Sequence, residues 1–324
     1  MDTRKDIDGR AAGLMLVLCA IWGMQQVALK AAGGDIAPIV QVAARSGIAA
    51  LLVALLMLAR RERLPFRDGT WVPGLLVGLL FALEYLFVGE GLRHTSAAHM
   101  AIFLYTAPIF AALGLHLKLP AERLRPLQWA GVGLAFAGVA LSFLGRGGPA
   151  PGLNGGGQST AWIGDLLGLA GGLAWGATTL VIRFSSLSRA PATMTLLYQL
   201  LGACAVLSLA AVLLDQTAVR FTTVSVASLA FQALVVSFLS FLAWFSLLRT
   251  YLASRLGVLS FMTPLFGIGF GVWLLGEALD PSFLAGALLV LGGILLVSGH
   301  DWLRQAAARR LPPAGRPSDR PAGS

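Results

Sequence analysis

The chain has 324 residues, 57% of them hydrophobic and only 12% charged, a balance that no soluble domain of this length needs to fill its core. Its formal charge of +9 requires no nucleic-acid partner, because the basic residues flank apolar runs in the way that sets membrane topology. The bilayer is the solvent.

Ten apolar stretches follow in chain order, near residues 12–31, 37–59, 71–91, 95–117, 125–145, 161–183, 191–214, 224–249, 254–275 and 281–299. Each is roughly the length that crosses a bilayer. All are expected to be helices, since a lipid-facing backbone must satisfy its own hydrogen bonds, and the alternation of a β-barrel is missing. The last five stretches read as a second copy of the first five. Trp22-Gly23 recurs as Trp175-Gly176, Lys30 as Arg183 and Pro38 as Pro191, all at an offset of 153 residues. Arg4, Lys5 and Arg10 before the first apolar run resemble the start of a secretory signal. The duplication instead makes that run a structural span, and Cys19 lacks the preceding small residue of a lipoprotein signal.

Basic residues define the orientation. With a cytoplasmic N-terminus, the cytoplasmic side receives the clusters at 4–10, 60–67, 118–125, 183–189, 249–255 and 304–320, while Lys30, Arg93, Arg146 and Arg220 fall on the other face. The expectation is a multi-pass protein of the plasma (inner) membrane with both termini cytoplasmic. Five spans per copy is an odd number, so the second copy enters the membrane inverted. The expected fold is all-α, ten transmembrane helices as two inverted five-helix repeats around a central cavity. The repeats occupy 1–145 and 161–300, joined by an external linker at 146–160 rich in Gly and Pro and followed by a basic, disordered tail at 301–324 in which Trp302 is an interfacial anchor.

Two motifs recur in the second halves of the copies. The run Tyr105-Thr106-Ala107-Pro108-Ile109-Phe110 precedes Leu119-Pro120-Ala121-Glu122, and Met262-Thr263-Pro264-Leu265-Phe266 precedes Leu275-Gly276-Glu277. Pro108 and Pro264 each remove a backbone donor, so they are hinge candidates or packing kinks whose freed carbonyls can line a cavity. Glu122 and Glu277 read as helix-end partners. The paired pattern resembles the drug/metabolite transporter superfamily, specifically its EamA group, over nearly the whole chain. Pro120 departs from the small residue common there. The resemblance implies a ten-helix carrier without an ATPase domain, exporting amino acids, other metabolites or toxic compounds.

Ionisable and polar residues inside the spans are costly in a membrane and are the substrate-pathway candidates. Arg45, Glu84 and His99 lie at depths of roughly 12, 10 and 6 Å from one face, at 1.5 Å per helical residue. Asp165, near the start of the sixth span, is expected to face the interface. Arg45 either pairs structurally with Glu84 or receives a substrate carboxylate or phosphate, for which a guanidinium is shaped; the resemblance adds that an Arg is frequent at this place. Glu84 is alternatively a site for a proton or an ammonium group, and His99 a proton relay or a satisfied structural histidine. Trp22 and Trp175, near two span centres, are expected to line the cavity, and Gln25, Tyr105, Tyr198 and Gln199 offer hydrogen bonds there.

Glycines at 164, 168, 172 and 176 recur every fourth residue, and Gly74/Gly78 and Gly267/Gly271 repeat the spacing. Such stripes permit close helix approach, within the chain or across a homodimer. The expected partners are a small-molecule substrate and membrane lipids, with the protein a monomer or homodimer. Cys19 and Cys204 lie in apolar spans, His94, His99, His116 and His300 are scattered, and no phosphate-binding loop appears. No metal or cofactor is expected. The expected function is secondary-active export of amino acids or related small polar metabolites. The alternative is a proton-coupled multidrug or cation exporter using Glu84, and a membrane-embedded enzyme or scaffold ranks below both.

Overall fold

The computed structural model describes residues 8–62, 69–118, 123–144, 160–251, 256 and 259–310. The expectations for Glu122, for most of the 146–160 linker and for the tail beyond 310 lie outside the described residues. The helices are α1 (Gly9–Ala31), α2 (Pro38–Ala59), α3 (Trp71–Gly91), α4 (Ala97–Leu104), α5 (Ala107–Lys118), α6 (Pro126–Leu144), α7 (Ala161–Phe184), α8 (Ala192–Leu213), α9 (Thr223–Ala230), α10 (Phe241–Thr250), α11 (Met262–Leu275) and α12 (Pro281–Arg310). A π-helical stretch, Phe231–Ser240, joins α9 to α10 in one continuous span. Among the described residues, seven helical spans are long and apolar enough to cross a membrane, and three shorter apolar helices, Pro126–Ser142, Met262–Leu275 and Pro281–Val297, complete ten. The protein is an all-helical, multi-pass membrane protein.

The fourth span is broken. Its two halves, α4 and α5, meet at Tyr105 and Thr106, where the Thr106 hydroxyl donates to the Phe103 carbonyl at 2.6 Å. Pro108, second in α5, has no N–H for the Leu104 carbonyl, so the ladder stops there. The Phe103 and Leu104 carbonyls face Gly172 of α7, where a Cβ would lie 3.0 and 3.1 Å from them. The second copy does the same: a turn at Phe261 precedes α11, in which Pro264 is the third residue.

Glycine fixes how the copies interlock. A Cβ on Gly23 would sit 2.7 Å from Phe266 Cβ and 2.9 Å from the Thr263 carbonyl. Gly176, its counterpart, would meet Phe110 Cβ at 2.8 Å and the Ala107 carbonyl at 3.0 Å. Phe110 and Ala107 lie the same distance before Phe266 and Thr263 in the chain, so the two contacts are copies of each other. The first helix of each half therefore packs on the proline-broken span of the other half. Gly164 and Gly168 continue this seam against Thr95 and Phe103, so the stripe on α7 serves packing within the chain.

A second seam joins α6 to α12. A Cβ on Gly131 would come 2.8 Å from the Gly293 carbonyl, and one on Gly138 would come 2.5 Å from that of Gly286. Because the earlier residue on one helix meets the later on the other, the two helices run antiparallel.

α12 continues to Arg310, across the start of the segment expected from sequence to be a disordered tail from 301. The stretch from Leu303 to Arg310 is built of Leu, Gln, Ala and Arg, all strong helix formers, and the first proline after it is Pro312.

Candidate functional site

Arg45 lies on α2 at 2% exposure, among the largest fully buried side chains. Pro38 opens that helix at its first position, where the missing N–H costs nothing. The guanidinium lies 4.5 Å over the Tyr85 ring of α3. Its Nη1 donates to Gln232 Oε1 at 3.3 Å, whereas Nε is buried without a hydrogen-bond partner among the described residues. Tyr85 is held in turn: its ring stands edge-on to Phe81, with centroids 4.9 Å apart, and its hydroxyl accepts from Gln25 Nε2 at 3.1 Å.

Glu84 precedes Tyr85 on α3 and is 5% exposed. Arg45 is near enough for its charge to act on this carboxylate. Among the described residues, though, no ion pair joins them, and Arg45 spends its contacts on Gln232 and Tyr85. Among the described residues, a cation–π contact and a hydrogen bond to an amide stand where the sequence allowed an Arg45–Glu84 salt bridge. Tyr105, at the break in the fourth span, is within electrostatic reach of Glu84 and Tyr85. Trp175 packs edge-on to it, at 5.3 Å between ring centroids. Arg45, Glu84, Gln25, Tyr105 and Trp175 thus gather in one region, closed from solvent apart from the half-buried Trp175.

The other candidates lie elsewhere. His99 Nδ1 is 3.3 Å from Asp165 Oδ2, and the His99 ring stacks on Phe283 at 3.8 Å. Asp165 also accepts from the Thr95 hydroxyl at 2.6 Å and is completely buried, so it does not face the interface. Trp22 donates to Ser240 Oγ at 2.9 Å and stands edge-on to Trp244. Tyr198 packs under Gly74, with its hydroxyl 3.4 Å from Thr70 Oγ1. Gln199 is half-buried on α8. At the repeat offset of 153 residues Tyr198 is the counterpart of Arg45, so the cation belongs to the first copy alone.

Sequence reasoning passed over Gln41, Tyr85, Ser228 and Gln232. Gln232, fully buried in the π-helical stretch, donates through Nε2 to Gln41 Oε1 and Ser228 Oγ, both at 2.9 Å. Gln41 donates to the carbonyls of Leu29 (3.1 Å) and Ile36 (2.8 Å). All four are polar residues in apolar spans, the same signal that singled out Gln25. Glu277, by contrast, caps α4: its carboxylate accepts from the N–H groups of Ala97 (2.7 Å) and Ala98 (3.0 Å) and lies 3.5 Å from Lys30 Nζ. Gly276, at φ +64°, makes the left-handed turn that ends α11 and brings Glu277 there.

A duplicated bundle of ten apolar helices with a buried, incompletely bonded cation in its first half defines a membrane carrier rather than an enzyme. The chain belongs to the EamA-like transporter family, whose model matches residues 9–144 and 162–299. The uncharacterized transporter YvbV of Bacillus subtilis is 28% identical over 302 residues, covering 92% of this chain and 95% of that protein. A probable amino-acid metabolite efflux pump of Salmonella typhimurium is 27% identical over 293 residues, covering 87% and 93%. A solved crystal structure superposes with a TM-score of 0.62 at 23% identity, covering 94% of this chain and 99% of its own, which supports the fold.

Proposed function

We propose that the protein is a secondary-active exporter of amino acids or related small polar metabolites, working by alternating access between two inverted repeats, 1–145 and 161–300, about a central cavity. The observation that carries this reading is Arg45, whose Nε lacks a hydrogen-bond partner deep in the bundle. A guanidinium has five N–H donors in a fixed fork and pairs with a carboxylate bidentately. The names of the Salmonella typhimurium relative and of one from Escherichia coli, probable amino-acid metabolite efflux pumps, agree with a carboxylate-bearing substrate. The antiparallel seam of α6 and α12 and the copied contacts at Gly23 and Gly176 support the inverted arrangement. Glu84 supports a second reading, a proton-coupled multidrug or cation exporter, because this carboxylate is buried without an ion-pair partner among the described residues.

Untargeted metabolite profiling of medium from cells overproducing the protein tests the first reading. Small carboxylate-bearing compounds should accumulate outside, and accumulation confined to lipophilic cations would transfer the assignment to the second. The distribution of Lys and Arg supports an orientation with both termini cytoplasmic in an inner membrane. A reporter fused after Trp302 should be cytoplasmic and a tag near Gly156 external; an external C-terminal reporter would contradict the inverted repeats.

A further inference from the structure

Arg45 is tied to one end of the bundle by an unbroken chain of buried amides. Gln232 Oε1 accepts from Arg45 Nη1, Gln232 Nε2 donates to Gln41, and Gln41 donates to the Ile36 carbonyl in the α1–α2 turn. Ser228 joins the same group and donates to the Ala28 carbonyl at 2.9 Å. The turn is itself a point of closure between the copies. Ile36 forms an antiparallel bridge with Val219, Arg220 N–H donates to the Asp35 carbonyl at 3.0 Å, and the Thr222 hydroxyl donates to Asp35 Oδ2 at 2.6 Å. Gln232 comes from the second copy, Arg45 and Gln41 from the first.

We infer that Gln232 is a positioning residue, which holds one arm of the Arg45 guanidinium, leaves Nε for a substrate carboxylate, and transmits occupancy of that site through Gln41 to the Ile36–Val219 seal. The inference rests on the anionic-substrate reading of Arg45. Gln232 suits the task because an amide donates and accepts at once, so it joins a cation that only donates to an amide oxygen that only accepts. Its place in a π-helical stretch fits as well, since such stretches lack the regular hydrogen bonding of an α-helix and recur at functional sites. A carboxylate that draws the guanidinium towards itself weakens the Nη1 bond. Gln232 then loses the contact that fixes its orientation towards Gln41, and the grip on the turn relaxes.

The seal can be followed without knowing the substrate. Residues paired across an antiparallel bridge have Cα atoms about 4.5–5.5 Å apart, within disulfide range. Ile36→Cys and Val219→Cys, in a background with Cys19→Ala and Cys204→Ala, should therefore cross-link under diamide, scored by maleimide-polyethylene glycol gel shift. Gln232→Leu removes the whole link, Gln232→Glu keeps the acceptor for Arg45 but loses both donors, and Gln41→Leu leaves the Arg45 contact in place. Each should slow cross-linking about threefold to tenfold, the size of one net buried hydrogen bond. The near-isosteric Gln232→Glu guards against misfolding, with monodispersity checked by gel filtration. Unchanged rates in folded Gln232→Glu and Gln41→Leu would overturn the inference.

A mixture of the twenty L-amino acids serves as the probe of occupancy. It should slow cross-linking in the parent protein but not in Gln41→Leu. An equal effect in both would overturn the relay while leaving the substrate reading intact. A mixture without effect on the parent, alongside variants that do slow cross-linking, would support the relay and place the failure in the substrate reading.

Discussion

Arg45→Gln should nearly abolish transport while leaving the protein folded. Truncating one member of a buried, hydrogen-bonded charge pair costs about 2–5 kcal/mol, which is roughly 30-fold to several thousand-fold in affinity. On the proposed reading the lost pair is the one formed with substrate, since within the protein Arg45 touches a neutral amide and a tyrosine ring. Folding should suffer little, because glutamine removes a buried charge and can still bond Gln232. Glu84→Gln provides the control. Were the two residues a structural ion pair, removal of either would leave a lone buried charge at a cost of about 3–5 kcal/mol, and the double variant would regain both stability and transport. No ion pair joins them among the described residues, so we expect Arg45→Gln and the double variant to be equally inactive and similar in melting temperature. Full recovery of transport in the double variant would rule out a direct substrate role for Arg45.

The second large effect is steric. Gly202→Leu should prevent assembly of a stable bundle, because even a Cβ at that position would lie 2.5 Å from the Gly78 carbonyl carbon. Backbone cannot move aside as a side chain can, so the penalty exceeds the ~1–3 kcal/mol of ordinary overpacking. Gly138→Leu, facing the Gly286 carbonyl at 2.5 Å, should behave alike. Gly133→Leu is the control, since a Cβ there meets nothing within 4 Å. Detergent-solubilised Gly202→Leu and Gly138→Leu should aggregate on gel filtration while Gly133→Leu elutes with the parent. A monodisperse Gly202→Leu of unchanged melting temperature would contradict the packing described.

Much of this architecture is legible in the amino-acid sequence because the membrane enforces it locally. Span lengths follow from the bilayer, a bend in the fourth span from Pro108 and the α7 seam from glycine spacing, whereas the α6–α12 seam at Gly131 and Gly138 was not singled out. Arg45, Glu84, Gln25 and Tyr105 stand out because polar groups in a span need a reason to be there. Their partners do not stand out in the same way. Arg45 and Gln232 are separated by 187 residues, and depth along a helix says nothing of rotation about its axis. His99 illustrates the point: its expected depth put it with Arg45 and Glu84, but its side chain turns to Asp165 and Phe283. The π-helical stretch at Phe231–Ser240 carries no proline or glycine that would mark it in the sequence. The helix through Arg310 was obscured by the charge and proline content of the tail as a whole, although its first ten residues favour helix.

Transport by the purified protein is the most direct test of secondary-active export through Arg45. Liposomes containing only this chain and its lipids, loaded with labelled L-amino acids, should exchange them with unlabelled external amino acids in the absence of ATP, and liposomes containing Arg45→Gln should not. Strict dependence of transport on added ATP, or equal exchange by Arg45→Gln, would contradict it.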